Sequence, residues 1–219
     1  MVRLHLRMQL PLFNMKIELI DTSVKIGNKI ILESIHYKMI PQSFIHLKGD
    51  NGSGKTVFMQ TLLGFYKCIG KCELSLPKKE TVYIPDTPFF NENTSVKEII
   101  HTYRYFFNVS TEMIHDCLNT LEFNHSLNMK TASLSLGTKK KLEILPLFFP
   151  MRKVYFLDEI TLGLDSKSTR LVIDRIVALH KLGSTFIMSE HNPKIIEALS
   201  QHIEIKELIC HNKKIVQSS

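Results

Sequence analysis

Residues 49–56 carry the stretch that decides the fold, Gly49-Asp50-Asn51-Gly52-Ser53-Gly54-Lys55-Thr56. Its glycines stand where a backbone must turn tightly and approach phosphate oxygens, and its last residues open a helical segment whose first amides favour negative charge. We therefore predict a phosphate-binding loop, in which Lys55 reaches the terminal phosphates and the Thr56 hydroxyl binds Mg²⁺. The residues predicted to contact the nucleotide here are Gly49, Asn51, Gly52, Ser53, Gly54, Lys55 and Thr56.

Strand-like segments flank this loop along the chain. Short apolar segments rich in β-branched residues lead into it, and residues 57–65 behind it have a helical pattern. Strands then alternate with helices, which indicates a mostly parallel sheet. The predicted strands are residues 16–20, 30–39, 43–47, 81–84, 154–157 and 185–188, followed by a terminal hairpin formed by residues 203–208 and 209–216.

The pattern becomes helical between residues 94 and 130. Apolar side chains recur there at three- and four-residue intervals, first from Val96 to Phe107 and then from Met113 to Leu121. We predict a helical insertion in this part of the chain. Further helices are predicted from about residue 139 and over residues 166–182.

Two adjacent carboxylates, Asp158 and Glu159, follow the apolar strand 154–157. A phosphate loop needs a carboxylate at a strand end to hold Mg²⁺, and Asp158 is placed to supply it. Glu159 is then the candidate general base for water. An isolated pair of this kind is most often a solvated turn, but its position downstream of a phosphate loop favours the catalytic interpretation.

Three more motifs follow in the order found in the nucleotide-binding subunits of ATP-binding cassette (ABC) transporters, which the chain resembles from about residue 16 to 216. Residues 134–138, Leu-Ser-Leu-Gly-Thr, look like the family signature L-S-G-G-Q. Residues 163–165, Gly-Leu-Asp, match the family's D-loop, and His191 matches its switch histidine. The resemblance is to bacterial subunits that drive export.

The resemblance implies the fold and the domain organisation. The expected fold class is α/β, a P-loop NTPase core with a mostly parallel sheet, an antiparallel β subdomain and a helical insertion. The whole chain is expected to form one ABC ATPase domain. Its nucleotide-binding core would comprise about residues 1–90 and 150–219, and its helical subdomain about residues 91–149.

The resemblance also implies the activity and the partners. ATP and Mg²⁺ are the expected cofactors, with Glu159 and His191 as catalytic residues. Ser135 and Gly137 would contact ATP bound by a second copy, and Asp165 of the D-loop is a further expected nucleotide-binding residue. Two subunits would close head to tail, most simply as a homodimer. The chain would work with a separate transmembrane permease at the cytoplasmic face of the cell membrane and would not bind nucleic acid.

Three departures from the family pattern affect the predicted site. Ile26 stands where an aromatic residue usually stacks on adenine, so we expect weaker stacking and weaker base selectivity. Asp86 stands where the family has glutamine; it can accept hydrogen bonds or approach Mg²⁺ but cannot donate an amide proton. Residues 139–141 are three lysines in the first turn of the signature helix, where each cation opposes the helix dipole by about 0.3–1 kcal/mol. They either face phosphate across the dimer or form a solvated face.

Composition limits the classes of protein to which the chain can belong. The 219 residues carry a formal net charge of +7 and 44% hydrophobic residues, and they contain four cysteines, which we expect to be free thiols. We find no membrane-spanning stretch, and residues 1–14 could be an extension, a weak interfacial anchor or an artefact of start assignment. The positive charge also permits an alternative function, a soluble ABC-type ATPase acting on nucleic acid or the ribosome.

Overall fold

The computed structural model describes residues 15–88 and 90–217, so the possible extension or anchor over residues 1–14 lies outside the described residues. The strands are β1 (Lys16–Ile26), β2 (Lys29–Lys38), β3 (Phe44–Lys48), β4 (Cys68–Ser75), β5 (Thr81–Ile84), β6 (Val154–Asp158), β7 (Thr185–Ser189), β8 (Ile205–His211) and β9 (Lys214–Gln217). The α-helices are α1 (Lys55–Leu62), α2 (Val96–Phe107), α3 (Thr111–Thr120), α4 (Leu136–Glu143), α5 (Leu145–Phe148), α6 (Ser166–Lys181) and α7 (Pro193–Ser200).

A six-stranded sheet with the order β5-β6-β7-β3-β8-β9 forms the centre of the molecule. Its first five strands are parallel, and β9 returns antiparallel to β8 as the predicted terminal hairpin. The carboxyl ends of β3, β6 and β7 therefore lie at one edge of the sheet, which is where ligands bind in sheets of this kind.

The central strands are buried on both faces, and their side chains alternate between two apolar cores. On β6, Tyr155 and Leu157 pack with the helices α2–α6, whereas Val154 and Phe156 pack with α1 and the antiparallel strands. Such continuous apolar runs are typical of parallel strands covered on both sides. The aromatic rings of Tyr155 and Phe186 stack with their centroids 4.9 Å apart, which ties β6 to β7 within one core.

A separate antiparallel sheet with the order β2-β1-β4 covers the α1 side. Its outer strand β4 pairs with β1 through an irregularity at Gly70, which has φ +110°. A Cβ at Gly70 would collide with the Asp21 carbonyl oxygen, so only glycine fits this bulge. Thr22 fixes the same bulge by donating to the Lys71 carbonyl over 2.8 Å.

The helical insertion begins with a capping box. Ser95 accepts a hydrogen bond from the Glu98 amide, and the Glu98 carboxylate accepts one from the Ser95 amide, which starts α2 at Val96. α2 ends at Asn108, whose left-handed backbone has φ 52°. The apolar face of α2, with Ile99 and Tyr103, packs on the rest of the helical core.

The predicted α/β fold class is confirmed, and the predicted central strands lie where the sequence placed them. Two elements were missed, the edge strand β4 and the helix α7. Among the described residues, no helix is both long enough and apolar enough to cross a bilayer. The four cysteines are free, as predicted. The division into residues 1–90, 91–149 and 150–219 stays a prediction.

Candidate active site

The phosphate loop connects the end of β3 to the start of α1. Gly49 must be glycine because a Cβ there would collide with the Cys210 carbonyl oxygen of β8. Gly54 caps α1 with φ 108°, a left-handed backbone that glycine adopts without strain. The Cys210 thiol donates to the Ser53 carbonyl over 2.9 Å, so β8 supports the loop from behind.

Lys55 is the charged group at the centre of this loop. Its side chain is buried, and its ammonium donates to the carbonyl oxygens of Gly49 at 2.8 Å and Asp50 at 3.1 Å. These contacts hold the positive charge at the loop, where the α1 amides also point, so both features favour an anion. The loop itself thus holds the Lys55 ammonium at the place where the sequence predicts phosphate to bind.

Asp158, at the end of β6, is brought next to Thr56 of α1. The Thr56 hydroxyl donates to Asp158 Oδ2 over 2.6 Å, and the Ser189 hydroxyl donates to Oδ1. Burial raises the pKa of Asp158 above its usual value, although the hydrogen bonds from Ser189 and Thr56 oppose this shift. A carboxylate that is costly to leave charged on its own is suited to a site where a cation arrives with the ligand.

Glu159 and His191 meet across the ends of β6 and β7. His191 Nε2 lies 3.0 Å from Glu159 Oε1. The backbone of Glu159 is left-handed, with φ 48°, and its amide donates to both the carbonyl and the hydroxyl oxygen of Ser189, each at 3.2 Å. These two hydrogen bonds hold Glu159 in a conformation that is uncommon for a residue other than glycine.

Glu190 is a contributor to the site that the sequence analysis missed. Its Oε1 accepts hydrogen bonds from the amides of His191 at 2.9 Å and Asn192 at 2.8 Å, and its Oε2 accepts one from the Thr161 hydroxyl. Glu190 therefore fixes the turn that presents His191 and ties it to the segment after Glu159. A carboxylate directly after a buried strand and before a candidate histidine was the available signal.

Part of the phosphate loop lines a pocket of about 300 Å³, whereas His191 and Asp158 are not among the residues that line it. Besides the loop, it is lined by Asp86 and Glu159, so the structure brings both carboxylates towards the loop. Ile26, the predicted adenine contact, ends β1 with 41% exposure and is not among the lining residues; Ile31 of β2 is. Base stacking by Ile26 therefore stays a prediction.

The donor set around the pocket fits Mg²⁺. The Thr56 hydroxyl and the carboxylates of Asp158 and Asp86 offer hard oxygen atoms, which this ion prefers. Among the described residues, no group of three or more His, Cys, Asp and Glu side chains could hold a metal by itself. Mg²⁺ is usually bound by one or two carboxylates together with substrate phosphates, so these residues would hold the ion together with the phosphates of ATP. Bound there, the ion would neutralise phosphate charge.

The other predicted contacts form a second cluster that does not line this pocket. Ser135 is exposed and caps α4 by accepting from the Thr138 amide over 3.2 Å. Gly137 packs so closely that an added Cβ would lie 2.9 Å from the Gly163 carbonyl oxygen. Asp165 caps α6 by accepting from the Ser168 amide over 2.7 Å.

The lysines of α4 do not behave as predicted. Lys140 is buried beside Glu143, so it neither belongs to a solvated face nor faces a partner's phosphate. Lys141 Nζ lies 3.1 Å from Asp165 Oδ2. The hydrogen bond from the Ser168 amide, helped by Lys141, lowers the pKa of Asp165 to about 2. The helix-dipole cost of these two cations is offset by carboxylates within the chain.

Comparison with known proteins decides the family. The family model described as "ABC transporter" matches residues 32–162, more than half of the chain. This chain belongs to the ABC transporter family. As an ABC ATP-binding subunit, it binds ATP and hydrolyses it, which confirms the recognition and the enzyme class inferred from the sequence motifs.

The relatives of this ABC ATPase include proteins named for export and proteins named for import. It is 30% identical over 177 residues to the cytochrome c biogenesis ATP-binding export protein CcmA of Reclinomonas americana, covering 75% of this chain and 80% of that protein. It is 26% identical over 205 residues to the methionine import ATP-binding protein MetN of Chlamydia pneumoniae, covering 84% of this chain and 60% of that protein. A solved ATP-binding subunit of an ABC transporter superposes with a TM-score of 0.77 at 20% identity, over 93% of this chain and 90% of that chain.

The buried Asp158 of this ABC ATPase yields a first prediction. Asp158→Asn should raise the free energy of unfolding at neutral pH by about 0.5–2 kcal/mol while abolishing Mg²⁺-dependent hydrolysis, because the amide keeps both hydroxyl partners without a buried charge. The folded-state pKa of Asp158 is raised, so its contribution to stability is present at low pH and lost as pH rises through that pKa. The gain in unfolding free energy of Asp158→Asn over the wild type should therefore shrink as the pH falls towards 4.

Urea unfolding at pH 4 and pH 7.5 measures this difference. Asp174→Asn, on the exposed side of α6, is the matched control and should change the unfolding free energy by less than about 0.5 kcal/mol at either pH. An Asp158→Asn variant less stable than the wild type at pH 7.5 would contradict the burial explanation.

Proposed function

We propose that this ABC ATPase powers an exporter as a head-to-tail homodimer that closes around two ATP molecules with Mg²⁺. The transmembrane permease is a separate chain, and the ATPase works at the cytoplasmic face of the cell membrane. The export direction is supported by the likeness of the Asp86 loop and the signature to exporter subunits and by the similarity to an export protein at 30% identity.

One observation supports the dimer proposal: the residues predicted to contact ATP lie in two separate places on the chain. The phosphate loop, Asp158, Glu159 and His191 lie at one edge of the sheet. Ser135 is exposed at the start of another helix and does not line that pocket. The exposed Ser135, whose hydroxyl oxygen lies 2.8 Å from the Thr138 hydroxyl, and the first amides of α4 suit an anion supplied by a second subunit.

The chemistry follows from the residues that one copy contributes. The loop amides and Lys55 hold the terminal phosphates and stabilise the charge that spreads over them during transfer. Glu159 takes a proton from the attacking water, and His191, 3.0 Å from Oε1, orients that carboxylate. The water oxygen forms a bond to the γ-phosphorus as the bond from that phosphorus to the bridging oxygen breaks, and ADP and phosphate leave.

A single substitution tests the head-to-tail arrangement. Ser135→Asp keeps a good N-cap for α4 but places a carboxylate where a partner's phosphate would bind. In a Glu159→Gln background, it should weaken ATP-dependent dimerisation at least tenfold, because like charges would meet in a desolvated contact. Multi-angle light scattering with and without ATP measures the dimer.

Ser110→Asp is the matched control. Ser110 caps α3 with the same kind of backbone contact, accepting from the Met113 amide over 3.1 Å, so its substitution reports the effect of changing a helix cap away from the proposed interface. Unchanged dimerisation in Ser135→Asp would refute the composite site. Co-purification from membranes with a chain of several apolar helices would support the permease, and transport into inverted vesicles would establish export.

A further inference from the structure

Lys140 is a buried cation in the part of the chain that the predicted mechanism does not use. Its side chain is 5% exposed, and its Nζ lies 3.3 Å from Glu143 Oε2, itself on a side chain with 3% exposure. Burial raises the pKa of Glu143, which Lys140 opposes by its charge and its hydrogen bond. A buried ion pair is weak evidence of stabilisation, because desolvation can exceed the attraction. Stabilisation by the ion pair alone therefore does not explain why Lys140 is buried at this place.

The same ammonium contacts a second element. Lys140 Nζ lies 3.5 Å from the Asp86 carbonyl oxygen, on the segment that leaves β5. Asp86 lines the nucleotide pocket, and its carboxylate accepts a 2.7 Å hydrogen bond from the Thr87 amide. One cation therefore joins the Asp86 segment of the pocket to a carboxylate on α4.

The helix that carries Lys140 is the one capped by Ser135. α4 has only about two turns, so Lys140 and the cap residue Ser135 belong to one short helix. It is also tied to α2, because the Tyr103 hydroxyl donates to the Leu142 carbonyl over 3.0 Å. Any shift of the Asp86 segment is thus applied to a short, rigid unit.

We propose that Lys140 is a positioning residue that couples the Asp86 segment to the signature helix, with Glu143 holding its ammonium in place. ATP bound in a chain's own pocket then biases the position of Ser135, the group offered to the partner's ATP. This inference rests on the proposed head-to-tail dimer for its purpose, although the coupling itself is a property of the single chain.

Three variants separate positioning from simple stabilisation. The double variant Lys140→Met/Glu143→Leu removes both charges and fills the site with apolar groups of similar volume, so it should keep its melting temperature while losing the contact with Asp86. Glu143→Gln keeps the ammonium and an oxygen acceptor, so it should melt earlier but retain the contact. Lys139→Met is the control: it removes the positive charge of the residue before Lys140 and leaves both contacts of Lys140 in place.

Amide hydrogen exchange over residues 81–95, without nucleotide, is the primary measurement. The double variant should exchange the Asp86 and Thr87 amides about tenfold faster, and its kcat for ATP should fall about tenfold with the ATP dissociation constant within twofold of the wild type. Glu143→Gln and Lys139→Met should show wild-type exchange in this segment.

The coupling is refuted if exchange and kcat follow the melting temperature across these variants, or if the double variant behaves as the wild type. If the double variant does not fold, Lys140→Gln replaces it, since the shorter and neutral side chain removes the ammonium that contacts Asp86. Exchange is measured on the monomer, so failure of the dimer in the Ser135→Asp experiment would leave this result intact and separately readable.

Discussion

Glu159→Gln should slow ATP hydrolysis by about 10²- to 10⁴-fold while leaving the affinity for ATP within about twofold. The amide has the shape of the carboxylate and keeps an oxygen for His191, but it cannot take a proton from water. Because ATP still binds and no longer turns over, the variant should accumulate an ATP-dependent dimer. Single-turnover hydrolysis measures the rate, and light scattering measures the dimer.

The neighbouring carboxylate gives the control. Glu190→Gln keeps an oxygen acceptor for the amides of His191 and Asn192, so its hydrolysis should stay within about tenfold of the wild type. A Glu159→Gln rate close to normal would remove Glu159 as the base. A loss in Glu190→Gln as large as that in Glu159→Gln would show that the turn around His191, and not proton transfer, limits the reaction.

The backbone of Glu159 explains why the expected loss is large. The left-handed conformation at φ 48° is held by two hydrogen bonds from its amide to Ser189. The carboxylate is thereby aimed at His191 before any substrate binds, and its side chain remains 25% exposed to water. A catalytic group that is already held in place needs no reorganisation during the reaction, so a substitution that removes its chemistry causes a large loss of rate.

The central sheet could be predicted because its signals are local. Each of the strands β3, β6 and β7 is a short apolar run, and two of them end directly in motif residues, Gly49 and Asp158. Thr56 and Asp158 were each predicted to bind Mg²⁺, and the structure brings the Thr56 hydroxyl within 2.6 Å of Asp158 Oδ2. A parallel sheet brings strand ends together regardless of their separation in sequence.

The elements that were missed depend on contacts distant in sequence or on a signal that was overlooked. β4 contains Gly70 and only a weak alternation, and it is a strand because it pairs with β1 around a bulge. α7 did carry a readable start, because Asn192 caps it and Pro193 occupies its first turn. The burial of Lys140 had no sequence signal, since a run of three lysines ordinarily indicates a solvated face.

Lys55→Ala should weaken ATP binding by about 10²-fold or more, the second large effect expected of this site. The ammonium is the loop's own positive charge, and its loss also leaves the carbonyls of Gly49 and Asp50 without the donor that shapes the loop. Lys55→Arg should recover little of the affinity, because a planar guanidinium does not fit a cradle built for a compact ammonium. Isothermal titration with a non-hydrolysable ATP analogue measures the affinity.

Lys48→Ala controls for charge near the loop. Lys48 ends β3 one residue before Gly49, and its ammonium lies 2.6 Å from Glu207, so its removal takes away a positive charge without touching the loop carbonyls. It should change the affinity for ATP by less than about threefold, as expected for an exposed ion pair. Equal losses in Lys48→Ala and Lys55→Ala would mean that ATP responds to the diffuse positive field of the chain. A loss confined to Lys55 would assign the affinity to the loop geometry, because only there do the ammonium, the amides of α1 and the glycine turns converge on one anion.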